Sequence, residues 1–250
     1  MTTKPMSNKE KQRLRAERAA AALKEKQRRE RRRQIFTVVG IVLAIALIVG
    51  AGFVINSMRD DTKETAAKIP PPGSQYGLTI GPSSAPHKLV VYEDFLCPFC
   101  GEFEKASHEQ LAKLADEGKV QVEYRPFVFL NEVGPYSARA TLIWWLVREK
   151  SGDDVAEKFH DLLFANQPSE QGPFPSRDDL YALAAQAGAN ADEIKTAVEN
   201  NEGVEEVADA TKVAEDLGVD STPTLVLDGK PFQDGATVDD LAANLVDALQ

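Results

Sequence analysis

The 21 residues "IFTVVGIVLAIALIVGAGFVI", Ile35 to Ile55, carry no charge, and no other feature restricts the chain so strongly. About 20 apolar residues are what a helix needs to cross the hydrocarbon of a bilayer. A soluble helix keeps a polar face over so many turns, so a buried core helix is a poor reading. A cleaved export signal has an apolar core of about 7 to 15 residues, and the charged leader of 34 residues is long for one. The run predicts an uncleaved transmembrane helix over 35–55.

Charge decides its orientation. Residues 1–34 hold 13 Lys and Arg against 4 Glu, a local +9, in a chain of net charge -10. The rest carries 16 basic against 35 acidic residues, about -19. The run "KQRRERRRQ" abuts one end of the apolar segment, whereas "NSMRDDTKETAAK" balances its charges at the other. The positive-inside rule then places the N-terminus in the cytoplasm and everything after Ile55 outside. So acidic an exported body excludes nucleic acid as a partner. The leader has almost nothing large and apolar to bury and reads as a solvated topology signal. A second reading is binding to anionic lipid headgroups, at about 1 kcal/mol per basic residue near the surface.

Residues 56–75 are polar and end in "IPPPGS", a composition that stiffens toward polyproline II and reads as a tether. The folded domain is expected over 76–250. "YGLTIG" and "HKLVVYEDF" are strand candidates, the second with the unbroken apolar run of a strand covered on both faces. In "CPFCGEFEKASHEQLAKLADEGK", Phe99, Phe103, Leu111 and Leu114 recur at helical spacing and Gly118 offers a stop. "VQVEYRPFVFL" again reads as a strand. A strand, helix, strand unit of this kind crosses over right-handed, with parallel strands. From about 134 to 218 every signal is helical, with capping starts at Ser176/Asp179 and Asn190/Glu193. Asp228-Gly229 then marks a hairpin, and Thr237 with Asp240 caps a closing helix.

The chain has two cysteines, Cys97 and Cys100, and three readings apply. A zinc site lacks ligands, because His87, His108 and His160 stand at no finger or ribbon spacing. A structural staple across so short a loop gains almost nothing. The third reading is a redox pair. A strand ending at Phe95 or Leu96 that turns directly into a helix puts Cys97 at the helix N-terminus, with Pro98 in the first turn, where its missing N–H costs nothing. Free backbone N–H groups and the helix dipole stabilise a thiolate there. Stabilising the reduced form makes the disulfide a stronger oxidant. Cys100, one turn on, points inward and serves as the resolving thiol.

"VVYEDFLCPFC", the helical insertion and "STPTLVLDG" together resemble the thioredoxin-fold disulfide oxidoreductases of the DsbA type. The likeness covers about residues 76–250 and is nearest to the membrane-anchored, extracytoplasmic members of Gram-positive actinobacteria, which oxidise exported proteins such as pilins. It implies an α/β thioredoxin-like fold with a helical insertion, preceded here by one transmembrane helix. It also implies a cis Pro223 facing the active site and a Thr222 backbone that pairs with a substrate strand. Strand entry is the alternative for Pro223, and the cis reading is preferred to it. Reduced exported polypeptides are then the substrates, and a membrane re-oxidant of the DsbB-like or VKOR-like kind is the electron acceptor. No cofactor and no metal are expected.

Phe99 departs from the best-known oxidant of the family, which has His there. A phenyl ring cannot donate to the thiolate, and Glu102 and Glu104 either repel it or are solvated partners of the helix dipole. The same motif would serve a reductase, for instance one in cytochrome maturation. From another class, a peptide-binding chaperone without redox turnover would share the fold. Glu93 and Asp94 offer two readings, a proton relay to Cys100 or strand-end solvation, the second preferred. The three histidines have no evident partner. Trp144 and Trp145 read as core, with a groove-lining role as the minor alternative.

Overall fold

The computed structural model describes residues 64–250; the leader at 1–34, the apolar run at 35–55 and the first part of the tether lie outside the described residues. Among the described residues no helix is long and apolar enough to cross a membrane. Five strands, β1 (Leu78–Ile80), β2 (His87–Glu93), β3 (Val120–Pro126), β4 (Thr224–Leu227) and β5 (Lys230–Pro231), form one sheet in the order β1-β3-β2-β4-β5. β2 and β3 are parallel, with Leu89 opposite Val122 and Val91 opposite Tyr124, as the strand, helix, strand pattern requires. β1, β4 and β5 pair antiparallel with their neighbours. The hairpin at Asp228 and Gly229 has both residues at positive φ, 50° and 74°, the backbone such two-residue turns need.

Helices pack around the sheet: α1 (Pro98–Asp116), α2 (Tyr136–Ser151), α3 (Asp153–Ala165), α4 (Arg177–Ala187), α5 (Ala191–Glu199), α6 (Val204–Asp216) and α7 (Val238–Ala248). α2 to α6 are the helical insertion. Ser176 with Asp179, and Thr237 with Asp240, form capping boxes at the starts of α4 and α7; Asn190 caps α5 through its side chain alone.

β2 sets the layers, because successive side chains on a strand face opposite ways. Leu89 and Val91 join Val122, Tyr124 and Leu225 under α1 and α7, where Phe103, Leu111, Leu245 and Val246 are buried. Val90 and Tyr92 face the other side, against Phe127, Ala214, Val219 and Val226. Each such side chain taken from water contributes about 1.5–3 kcal/mol. The insertion has a separate core around Trp144, Trp145, Phe159 and Leu180, and Phe95 and Leu96 reach into it from the end of β2. Both tryptophans are buried there, as core residues.

The described part of the expected tether is packed. Ala66 and Ile69 are buried in the layer with Val90 and Tyr92. Arg125 donates to the carbonyls of Pro70 and Pro71 at 3.0 and 3.1 Å, and Glu123 accepts from the N–H groups of Gly73 and Ser74 at 3.0 and 2.8 Å. These two buried side chains pair with each other at 2.6 Å. A proline lacks a donor but keeps its carbonyl, so a Pro-rich strap docks well on an arginine. That partner lies some fifty residues away in sequence, where local composition gives no sign of it.

Candidate active site

β2 ends at Glu93, two residues earlier than the apolar pattern suggests. The reason is Asp94, whose Oδ1 accepts from Leu96 N–H at 2.7 Å while its carbonyl accepts from Cys97 N–H at 3.0 Å. This closes a turn that delivers Cys97 to the N-cap of α1, with Pro98 opening the helix. Cys97, 4% exposed, and Cys100, 1% exposed, are both buried, the first at the N-cap of α1 and the second within its first turn. Phe99, between them, is 56% exposed.

The two thiols differ electrostatically. Cys97 is lowered from 9.0 to about 6, chiefly because the Cys100 thiol donates to its sulfur; burial opposes this, while the Thr222 side chain and the N–H groups of Cys100 and Phe99 assist. Cys100 is pushed well above the ordinary range, first by burial, then by its bond to Cys97, the Cys97 charge and the Glu93 charge. The Thr222-Pro223 bond is cis, and the Thr222 carbonyl lies 3.4 Å from the Cys97 sulfur. Thr222 therefore presents its backbone carbonyl to the Cys97 sulfur. Gly172-Pro173 is also cis.

A lowered thiol stabilises the folded dithiol above its unfolded value, and that contribution fades as pH falls through the folded value. For Cys97 the window runs from 9.0 down to about 6. We expect alkylation of the reduced chain by iodoacetamide to rise with a midpoint near pH 6. A midpoint above about 8, the free-cysteine range, would contradict this electrostatic account.

Glu93 and Asp94 are both fully buried, which overturns solvation at the strand end. Asp94 is an anchor. Its Oδ2 accepts from the N–H groups of Phe129 and Leu130 at 2.7 and 2.9 Å and from Ser137 Oγ at 2.5 Å. With Leu96 this makes four donors, which tie the catalytic turn to the segment after β3 and to the start of α2. Glu93 shares the face of Leu89 and Val91 and meets His160 of α3, Oε1 to Nε2, at 2.6 Å. Burial raises the Glu93 carboxyl to about 7 although the His160 charge draws it back. Burial opposes protonation of His160, but Glu93 and Asp161 outweigh it and hold the imidazole well above its ordinary value.

The histidines are partnered, contrary to the sequence reading. Asp161 Oδ1 lies 3.4 Å from His160 Nδ1 and 3.3 Å from His108 Nε2. His108 is raised to about 10 by Asp161 and then Glu104. Glu104 is buried, with its carboxylate 3.4 Å from His108, and is no solvated partner of the helix dipole. His87 contacts Asp228 at 2.9 Å. The pairings of His87 with Asp228 and of His160 with Glu93 join residues 141 and 67 apart in sequence, beyond the reach of local pattern. Ser137 and Gln167, whose Nε2 donates to the carbonyls of Phe95 and Cys97, went unnoticed for the same reason. No group of three or more His, Cys, Asp or Glu side chains among the described residues is arranged to hold a metal ion.

The arrangement suits thiol chemistry: a stabilised thiolate at a helix N-terminus beside a buried thiol whose proton is held. The profile of the thioredoxin family matches residues 74–247. A Na(+)/H(+) antiporter, NhaA 1 of Salinispora arenicola, is 30% identical over 170 residues, covering 68% of this chain; the chain spans only 24% of the antiporter's length. The probable disulfide bond formation protein D of Bacillus cereus is 25% identical over 193 residues, which are 76% of this chain and 87% of that protein. The solved structure of the reduced disulfide bond oxidoreductase DsbG from Mycobacterium tuberculosis superposes with a TM-score of 0.59 at 27% identity, covering 71% of this chain and 87% of that one.

Proposed function

This chain is a DsbA-like member of the thioredoxin family, and from that premise we propose that it is a membrane-anchored, extracytoplasmic thiol-disulfide oxidoreductase that introduces disulfides into exported proteins. The observation that carries the reading is the division of labour between the thiols, with Cys97 lowered to about 6 and Cys100 pushed well up. A substrate thiolate attacks the Cys97 sulfur of the Cys97–Cys100 disulfide. A Cys97–substrate bond forms, the Cys97–Cys100 bond breaks, and Cys100 leaves as a thiolate that takes up a proton. A second substrate thiolate then attacks the substrate sulfur of the mixed disulfide, and Cys97 departs as a thiolate. Low basicity speeds that departure. The substrate has lost two electrons and the enzyme holds a dithiol, which a DsbB-like or VKOR-like membrane partner re-oxidises.

Thr222 and Pro223 are the contact points for the substrate backbone, and exposed Phe99 is an apolar contact for its side chains. The apolar run at Ile35–Ile55 supports the anchor, and the basic leader supports a cytoplasmic N-terminus.

The test is the reduction potential of the full chain in detergent, equilibrated in glutathione buffers and read by trapping free thiols. We expect a value between about -120 and about -180 mV, in the range of disulfide donors. A value near about -270 mV, that of thioredoxin, would make the chain a reductase instead. Labelling of the reduced thiols in intact cells by a membrane-impermeant maleimide tests the topology; labelling that needs lysis would refute it.

A further inference from the structure

The turn between β2 and α1 is held from two sides. Asp94 takes the donors, Leu96 N–H through its carboxylate at 2.7 Å and Cys97 N–H through its carbonyl at 3.0 Å. Gln167 takes the acceptors. Its Nε2 donates to the carbonyl of Phe95 at 3.0 Å and to that of Cys97 at 2.9 Å. The Cys97 carbonyl also accepts from Gly101 N–H at 3.1 Å, the first bond of α1. Gln167 follows α3 and is half-buried, its backbone N–H fixed on the carbonyl of Phe164 at 3.2 Å. The helical insertion thus reaches over the sheet domain and holds the carbonyl of the reactive cysteine.

Gly101 makes the contact possible. A Cβ at that position would run into Gln167 Oε1 and stand 3.0 Å from its Cδ. Gly101 lies inside α1 and is not among the glycines with positive φ, so its backbone does not call for glycine. Glycine in a helix interior costs about 0.5–1 kcal/mol relative to alanine, and the close approach of the amide accounts for it here.

We propose that Gln167 is a positioning residue for Cys97, fixing the Cys97 carbonyl so that the sulfur faces the N–H groups of Phe99 and Cys100, with Gly101 supplying the space. Stabilisation by N–H dipoles depends on their orientation and fades once the N-cap residue turns. The insertion therefore tunes the reactive sulfur from outside the sheet domain. This inference rests on the redox reading of Cys97 and Cys100, and the unmodified chain tests that reading in the same buffers.

The test compares the full chain in detergent with Gln167→Met, Gln167→Ala, Gly101→Ala and the double variant Gln167→Ala/Gly101→Ala. Two quantities are read, the pH midpoint of Cys97 alkylation and the equilibrium with glutathione. Gln167→Met keeps the bulk and removes the donor. It is expected to raise the midpoint by about one unit and shift the equilibrium about tenfold toward the protein disulfide. Gly101→Ala, which displaces the amide, is expected to do the same, and its helix-interior position favours alanine, so folding is retained. The double variant should match Gln167→Ala alone, because the shared contact is already gone. Unchanged midpoint and equilibrium in Gln167→Met overturn the proposal, as do fully additive effects in the double variant. An unmodified chain that forms no exchangeable Cys97–Cys100 disulfide overturns the redox reading instead.

Discussion

Cys100→Ser is expected to turn the chain into a trap. Cys97 remains at the N-cap of α1 with the N–H groups of Phe99 and residue 100 beside it, so its thiolate still attacks protein disulfides: a Cys97–substrate bond forms, the substrate S–S bond breaks, and the other substrate sulfur leaves as a thiolate. The step lost is resolution, because a serine hydroxyl cannot displace the substrate sulfur. Non-reducing gels of cells carrying the variant should show covalent adducts that thiol reagents dissolve, while turnover falls by on the order of 10³ or more. Cys97→Ser should lose turnover to the same extent and form no adducts, since Cys100 is buried and its thiolate strongly disfavoured. Normal turnover by Cys100→Ser, or adducts formed by Cys97→Ser, would reverse the assignment of the two thiols.

The second large effect belongs to Asp94. Its carboxylate satisfies four buried or half-buried donors: the N–H groups of Leu96, Phe129 and Leu130, and the Ser137 hydroxyl. Hydrogen bonds to a charged group contribute about 1.5–3 kcal/mol each, and an orphaned buried donor costs about 1–3 kcal/mol. Asp94→Ala strands all four, so we expect a loss of about 4 kcal/mol or more in urea unfolding, a large share of a typical total of about 5–15 kcal/mol. Asp94→Asn should recover little, because its amide NH₂ can occupy neither oxygen position without facing a donor. Unfolding of Asp94→Ala within about 1 kcal/mol of the unmodified chain would show that the anchor is unimportant.

Much of the fold was legible locally. The parallel β2–α1–β3 unit, the insertion, the hairpin at Asp228-Gly229 and the capped starts of α4, α5 and α7 each follow from period, capping residues or turn residues within a few positions. Cys97 at a helix N-terminus was legible because strand, Pro98 and helix lie side by side in the sequence. What misled the reading was charge. Glu93, Asp94 and Glu104 look like solvated residues in sequence, because carboxylates are seldom buried unless paired. Their partners, His160, Ser137 and His108, come mainly from helices of the insertion.

The sequence alone singled out the Cys97–Cys100 pair, the order of the elements and the division of the chain into basic leader, apolar run and acidic domain, since all of these depend on neighbours within one or two helical turns. Only the tertiary structure decided how the reactive turn is held: Asp94 and Gln167 around Cys97, His160 against Glu93, and the strap at Pro70 and Pro71 on Arg125. The physical reason is that a buried polar group must find its complement wherever the fold brings one within about 3 Å, and separations of 35 to 72 residues leave no periodic trace.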